Sequence, residues 1–154
     1  MLEHMTVTTR YLCTIEAEVA PPLQIAQHGK LARRMVPIVG GKVSGRINGV
    51  ILPGGADWQY VHEDGATDVE AHYCLELEGG DVVEVQSSGV RSGDPAVLAR
   101  VFAGEAVPPD AYYFRTGIKL RTSAPRYAWL TRFLAIGIAA RSRDGVLIRV
   151  FEVE

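Results

Sequence analysis

Cysteine is scarce in this chain of 154 residues, because Cys13 and Cys74 are the only two. They lie far apart and form no Cys-x-x-Cys pair, so their spacing gives no metal or redox motif. Thiols of this kind are usually packed as small apolar residues. A chain of this size buries about two-thirds of its unfolded surface, which is enough for a core without cross-links. We therefore assign the cysteines no chemistry.

Long apolar runs and an excess of one charge are also absent. No segment approaches the roughly 18 apolar residues that a membrane-spanning helix needs, and the N-terminus lacks the charged-then-apolar layout of a signal peptide. The chain has sixteen Lys and Arg residues and eighteen Asp and Glu residues, which gives a formal net charge of −2. This balance argues against nucleic acid or an anionic membrane as the main partner. A cytoplasmic location is the resulting expectation.

Common catalytic signatures are missing as well. No two of His28, His62 and His72 are two or four positions apart, so they do not predict a metal site. The glycine pairs at 40–41 and 54–55 precede strands rather than helices, which argues against phosphate-binding loops. The chain has no Gly-x-Ser-x-Gly elbow. We expect neither a metal nor any other cofactor.

Predicted β-strands dominate what is present. Eight segments are rich in β-branched or aromatic residues and are bounded by turn residues: 11–19, 30–39, 42–52, 68–77, 82–88, 112–121, 127–140 and 146–153. Gly79-Gly80 and Asp144-Gly145 have the signature of two-residue hairpins. The strands are therefore expected to pair antiparallel.

The strand patterns indicate a barrel. Apolar and polar residues alternate from 69 to 77 and again from 146 to 150, so one face of the sheet is buried and the other is wetter. The segment 127–140 is mostly apolar on both faces, which favours a central strand, with a helix as the alternative. One helix is predicted, with Asp94 as N-cap and Pro95 at its first position, ending at Gly104. We predict an all-β fold, a closed antiparallel β-barrel of about eight strands with one short accessory helix.

The first residues look unrelated to this fold. Residues 1–4, Met-Leu-Glu-His, resemble the remnant of two adjoining cloning sites. We expect residues 5–154 to form a single domain.

Asp57 and Trp58 are the first candidates for chemistry. They follow the turn Pro53-Gly54-Gly55, so Asp57 could simply cap that turn while Trp58 plugs one end of the barrel. Alternatively, a carboxylate beside a bulky ring is partly desolvated, its pKa rises, and it can act as a general base or acid.

Tyr113 and Arg115 are the next candidates, and Arg46 is a weaker one. Alternation places Tyr113 and Arg115 on the face opposite Phe114. Either Phe114 is core and the other two are on the surface, or the polar pair points into a cavity. A guanidinium inside the barrel would need an anion, either Asp57 or a ligand.

Aromatic residues supply the remaining candidates. Tyr127 and Trp129 share a face of their predicted strand, and Tyr73 lies on the apolar face of another. Such residues are often core, although they could also line a ligand cavity. A buried Tyr73 hydroxyl would need a partner, for which Asp57 and Arg115 are the candidates.

Several separated motifs together resemble a bacterial and fungal family known as domain of unknown function 3237, or uncharacterised protein family 0311. They are Gly40-Gly41, Gly49, the run Leu-Pro-Gly-Gly-Ala-Asp-Trp at 52–58, Tyr73, Gly-Val-Arg at 89–91, Tyr-Phe-Arg-Thr at 113–116 and Tyr-Ala-Trp-Leu at 127–130. The resemblance spans roughly residues 11–153. It implies a closed antiparallel barrel of lipocalin-like or allene-oxide-cyclase-like form, and it implies no particular reaction. His72 departs from the arginine of the family pattern, which puts an arginine-based role there in doubt.

Three functional hypotheses remain open at this point. The first is a cofactor-independent isomerase, cyclase or lyase acting on a small apolar or aromatic metabolite inside the barrel. Asp57 would move the proton and Arg115 would stabilise an oxyanion, while the cavity would be lined by Arg46, Trp58, Tyr73, Tyr113, Tyr127 and Trp129. The second is a barrel that binds a small ligand without catalysis. The third is a filled barrel whose surface binds protein, and a homodimer is compatible with any remaining sheet edges.

Overall fold

Ten β-strands and one α-helix make up the computed structural model, which describes residues 1–29 and 31–154. The strands are β1 Thr9–Val19, β2 Leu23–His28, β3 Leu31–Gly45, β4 Gly49–Ile51, β5 Gly55–Val61, β6 Thr67–Leu77, β7 Val82–Ser92, β8 Tyr113–Arg121, β9 Ala135–Arg141 and β10 Gly145–Val153. The helix α1 is Pro95–Phe102, and short 3₁₀ helices span Leu2–His4, Pro109–Ala111 and Pro125–Arg132.

The sheet closes on itself into a barrel. Every strand pair is antiparallel, and the order β1-β10-β9-β8-β7-β6 continues through β4 and β5 to β3, which pairs with β1. Strands β4 and β5 share one position between β3 and β6, so the barrel has eight positions, and β2 extends from it as a hairpin with β3. The predicted closed antiparallel barrel of about eight strands is confirmed.

The predicted accessory helix is confirmed as α1. The Asp94 carboxylate accepts a hydrogen bond from the Ala96 N–H at 2.8 Å, Pro95 occupies the first turn, and the chain reverses at Gly104 with φ +79°. Leu98 and Val101 pack against the barrel core. No helix in the described part of the chain is long and apolar enough to cross a membrane.

The single strand predicted over 127–140 is wrong. Its first part is the 3₁₀ helix Pro125–Arg132, which buries Tyr127 and Leu130, and only β9 from Ala135 onward is extended. The Tyr127 hydroxyl donates to the carbonyl of Glu78 at 2.9 Å, on the hairpin between β6 and β7. This segment therefore covers the barrel end at which that hairpin lies.

Three further elements differ from the prediction. The segment 42–52 is interrupted at 46–48, where Asn48 bonds back to Gly45 through both its amide oxygen and its amide nitrogen. Strand β5 replaces the turn expected around Asp57, and β2 was not predicted. The strand predicted from Lys30 begins outside the described residues, and β3 is extended from Leu31.

Inward-facing side chains fill most of the barrel. Alternate residues of β6, β7 and β8 are buried, including Leu75, Val83, Val85 and Ile118. Five buried polar residues of the described chain interrupt this apolar interior. They are Gln59, Thr67, Ser87, Arg91 and Thr116. This polar part of the interior surrounds the candidate site.

Candidate functional site

Asp57 lies in the interior on β5, and it does not cap a turn. Its Oδ1 accepts a hydrogen bond from the Glu70 N–H of the neighbouring strand at 3.0 Å, and its Oδ2 accepts one from Gln59 Nε2 at 2.7 Å. Burial raises the pKa of the Asp57 carboxyl, and these two hydrogen bonds and the charges of Arg91 and Arg34 partly offset that rise. The pKa of this carboxyl is therefore closer to neutral pH than that of an exposed aspartate.

Gln59 links the carboxylate to an arginine. Its Oε1 accepts a hydrogen bond from Arg34 Nε at 2.7 Å, which fixes the amide so that its Nε2 points at Asp57. Among the described residues, no Lys or Arg lies within ion-pair distance of the Asp57 carboxylate. The carboxylate is thus oriented by neutral donors and keeps the ability to take up a proton.

Asp57 borders a small interior cavity of about 50 Å³. Its walls are Ala17, Val19, Ile38, Asp57, Val69, Ala71, Tyr73, Ser87, Phe114, Thr116, Ala139, Val146 and Ile148. This volume holds a few water molecules and is far below the roughly 300 Å³ at which metabolite pockets begin. The barrel interior is largely filled, and its free space is concentrated beside Asp57.

Two hydroxyl groups of this cavity have no hydrogen-bond partner in the described part of the protein. They are Tyr73 Oη and Thr116 Oγ1. Burial raises the pKa of Tyr73, as does the charge of Asp57, so the phenol stays protonated. A buried hydroxyl without a partner is costly. A hydrogen bond from either group to an oxygen atom of a ligand would remove that cost.

Arg115 does not face the interior, so the expected pairing with Asp57 is wrong. Phe114 points inward, and Arg115 lies on the outer side, where its Nη1 donates to the Phe114 carbonyl at 3.0 Å. Its guanidinium lies 5.2 Å from the ring centre of Tyr113, which is 52% exposed. The surface alternative for this pair is the observed one.

The other predicted lining residues are also separate from the cavity. Trp58 is 42% exposed on the outer side of β5, opposite to its neighbour Asp57. Arg46 forms an ion pair with Glu152 at 2.7 Å and stacks on Trp129 at 5.1 Å. With Tyr127 at the covered end, only Tyr73 of the predicted aromatic residues lines the cavity.

His72 is on the outer surface as well. Its Nε2 lies 2.6 Å from Glu84 Oε1, and both side chains are well exposed. A group of three or more metal-ligating side chains is absent from the described residues. Burial raises the pKa of the Cys13 thiol to about 12, which keeps it unreactive.

Arg91 and Arg34 are the residues that the sequence analysis missed. Arg91 is 2% exposed and lies on the inward side of β7, in register with Phe114 of β8. The signal was present, because Arg91 shares its side of the strand with Val83, Val85 and Ser87. Inside the barrel, Arg91 and Arg34 take the place near Asp57 that was expected for Arg115.

Known proteins that are similar to this chain agree with both its fold and its sequence motifs. The family described as "Protein of unknown function (DUF3237)" matches residues 7–153. The chain belongs to this family. A UPF0311 protein of Rhodopseudomonas palustris strain TIE-1 is 40% identical over 149 residues, covering 96% of this chain and 97% of that protein. The family resemblance of the sequence motifs is thereby confirmed.

Solved structures of similar proteins share the barrel. A conserved protein of unknown function from Rhodopseudomonas palustris superposes with a TM-score of 0.90 at 38% identity, covering 97% of this chain and 99% of that one. A β-barrel-like protein from Acinetobacter baumannii gives 0.85 at 29% identity and full coverage of both chains. A protein of Penicillium herquei described as an enzyme gives 0.75 at 18% identity over 97% and 96%. This last likeness shows the fold alone.

Proposed function

We propose that this protein is a cofactor-independent enzyme of the isomerase, cyclase or lyase type that moves a proton on a small metabolite. The observation that carries the proposal is the Asp57 carboxyl, which is half-buried, free of a direct cationic partner and lines the same cavity as two unpartnered hydroxyl groups. Perturbed carboxyls beside a cavity are typical of general acid–base sites.

Asp57 supplies both halves of such a reaction. Its carboxylate takes a proton from a carbon or hydroxyl of the substrate, and the electron pair moves into a neighbouring double bond or carbonyl. In an isomerisation or cyclisation the resulting acid then returns the proton to another atom of the same molecule. In a lyase reaction the electron pair expels a leaving group, and the acid protonates that group. No oxidant or external reactant is consumed, and the raised pKa brings the two protonation states closer in energy.

Tyr73 and Thr116 take the stabilising role that the sequence suggested for Arg115. A hydroxyl donor that is already buried and unpaired pays no desolvation cost when a negatively charged oxygen forms next to it. The phenol of Tyr73 keeps its proton because its pKa is raised. These two groups would therefore donate to a substrate oxygen on which charge develops.

The size of the cavity restricts the substrate. A space of about 50 Å³ accepts the reacting group and not a whole metabolite. The remainder of the molecule would lie towards the end of the barrel at which Arg34, Arg91 and Phe102 meet. The fold of the Penicillium herquei enzyme is compatible with catalysis in such a barrel and adds nothing about the substrate.

Deuterium exchange tests this proposal for any substrate, because proton transfer is the step that the three reaction types share. A thermal-shift screen of aromatic and terpenoid acids selects compounds that stabilise the protein. Each selected compound is incubated with the protein in D2O and analysed by mass spectrometry. We expect protein-dependent deuterium uptake or an isomeric product with at least one compound, because Asp57 exchanges its proton with solvent between the two transfers.

Asp57→Asn and Asp68→Asn form a matched pair for this assay. Asp68 is an exposed aspartate on the outer side of β6 that bonds to His62 at 2.8 Å. We expect uptake to be lost in Asp57→Asn and unchanged in Asp68→Asn. Turnover by a folded Asp57→Asn protein would refute the proposal, and binding without any turnover by the wild type would favour the non-catalytic ligand-binding barrel.

A further inference from the structure

Three arginines from three non-adjacent strands converge at one end of the barrel. They are Arg34 of β3, Arg91 of β7 and Arg141 of β9. Burial lowers the pKa of Arg91 and of Arg34, and like charges lower both further: Arg34 and Arg141 act on Arg91, and Arg141 acts on Arg34. We call this group the arginine cluster.

Arg91 and Arg34 contact aromatic rings rather than acids, and Arg34 also donates to Gln59. Their guanidinium carbons lie 4.8 and 5.0 Å from the ring centre of Phe102, and Arg91 also lies 5.5 Å from that of Phe114. A cation–π contact with a ring does not use the N–H groups of a guanidinium as hydrogen-bond donors to an acceptor atom. The Nε of Arg91 has no hydrogen-bond partner among the described residues, although the side chain is only 2% exposed.

The arginine cluster carries uncompensated positive charge. Burial and the two like charges lower the pKa of Arg91 to about 10, so it is still protonated at neutral pH. No carboxylate of the described residues forms an ion pair with any of the three arginines. Asp57 is the acid whose charge reaches Arg34 and Arg91, and it is a single charge. Arg91 is the buried member of the cluster, whereas Arg34 is half-buried and Arg141 is exposed. Since a buried charge without a partner is costly, the surroundings of Arg91 call for an anion.

A surface depression gives an anion access to this end. It has a volume of about 300 Å³ and is lined by Val19, Ala20, Pro21, Pro22, Val36, Arg141, Arg143 and Asp144. Arg143 and Asp144 offset each other in charge. Val19 belongs to the walls of both this depression and the inner cavity that Asp57 borders. Of the cluster, Arg141 lines this depression. The shared wall residue Val19 places the depression next to the cavity that Asp57 borders.

We propose that the arginine cluster binds the carboxylate of a small organic acid, whose adjoining carbon atoms reach the cavity beside Asp57. Guanidinium edges match a planar carboxylate with two parallel hydrogen bonds, and the apolar walls favour an organic acid over an inorganic ion. The second half of this inference rests on the proposed function, whereas the binding of the carboxylate stands independently of it.

Benzoate and benzamide provide the first test, because they have the same shape and differ in charge. Binding is measured by calorimetry and by the shift in melting temperature at low salt. We expect benzoate to bind and to stabilise the protein, with a much weaker effect for benzamide. Equal effects of the two probes would overturn the proposal, as would inorganic phosphate binding more tightly than benzoate.

Arginine variants locate the site. We expect Arg34→Gln and Arg141→Gln each to weaken benzoate binding by about tenfold, the effect of losing one charge-assisted hydrogen bond. The control is Arg149→Gln, because Arg149 lies on the outer side of β10 and stacks on Tyr11 and Phe151. Affinity that is unchanged in the first two variants, or reduced equally in the control, would place the ion elsewhere.

Arg91→Met separates a binding role from a structural one. If the charge of Arg91 serves a ligand, its removal relieves repulsion within the cluster, so the unliganded variant should melt at the same or a higher temperature while benzoate binding is lost. A lower melting temperature with benzoate binding retained would contradict the proposal. Asp57→Asn should keep benzoate binding, so a failure of catalysis is distinguishable from a failure of this site.

Discussion

The unpaired hydroxyl of Tyr73 leads to a prediction about stability. Tyr73 and Tyr127 are 4% and 6% exposed, and each is packed in the core. They differ in one respect, because Tyr127 donates to the Glu78 carbonyl at 2.9 Å whereas Tyr73 Oη has no partner among the described residues. Replacing each tyrosine by phenylalanine therefore measures the effect of the hydroxyl alone.

The two variants should change stability in opposite directions. A buried unpaired hydroxyl costs roughly 1 to 3 kcal/mol, so Tyr73→Phe should raise the free energy of unfolding by about 1 to 2 kcal/mol. Tyr127→Phe loses one hydrogen bond and should lower it by about 1 kcal/mol, the Glu78 carbonyl keeping its bond from Arg126. For a chain of this length the expected rise in melting temperature is about 3 to 6 °C for Tyr73→Phe.

Urea unfolding and calorimetry of the two variants check this prediction. Tyr73→Phe should combine higher stability with slower turnover in the deuterium assay, since the hydroxyl is retained for its action on a substrate. A loss of stability as large as that of Tyr127→Phe would refute the reasoning, because it would mean that the Tyr73 hydroxyl has a partner in solution.

Two further predictions concern the same part of the barrel. A Cβ at Gly55 would collide with Tyr73 and with the His72 backbone, so Gly55→Ala should destabilise the protein by about 1 to 3 kcal/mol. The control is Gly117→Ala, whose Cβ meets one atom at 3.9 Å and should be tolerated. Equal unfolding midpoints for the two variants would contradict the collision at Gly55. Burial raises the folded-state pKa of Asp57 above its ordinary value of 3.8. The contribution of Asp57 to stability is therefore complete below pH 3.8 and is lost as the pH rises through the folded-state pKa. The stability of Asp57→Asn relative to the wild type should therefore increase with pH over that interval in urea unfolding, and a relative stability that falls with pH would contradict the burial effect.

The barrel could be predicted because most strands follow the usual rule of apolar residues inside. Strand β5 follows the opposite pattern, since Gly55, Asp57 and Gln59 face inward while Trp58 and Tyr60 are exposed. Hydropathy alternation alone cannot identify a strand whose polar side is buried.

The strand predicted over 127–140 was wrong for a different reason. It is apolar along most of its length, and hydropathy does not distinguish a short buried strand from a short helix. Pro125, in the first turn of the 3₁₀ helix, was the available signal for a helical start.

The candidate site was only partly predictable. Asp57 and Tyr73 were identified from a motif and from alternation, and both line the cavity. Arg91 lies beyond the end of the strand predicted over 82–88. For Arg115, alternation gives two faces and does not say which one is buried. Phe114 settles this for β8, because an aromatic ring gains more from burial than a guanidinium. Arg91 breaks that preference, which is why it points to a ligand.

Proton transfer by Asp57 is the central claim, and the rate of deuterium uptake tests it most directly. With a compound selected by thermal shift, the wild type should exchange or isomerise the substrate. Asp57→Asn, folded and still able to bind benzoate, should be slower by about 100-fold or more, as expected for the loss of a general acid–base. Equal rates for the two proteins would contradict the account.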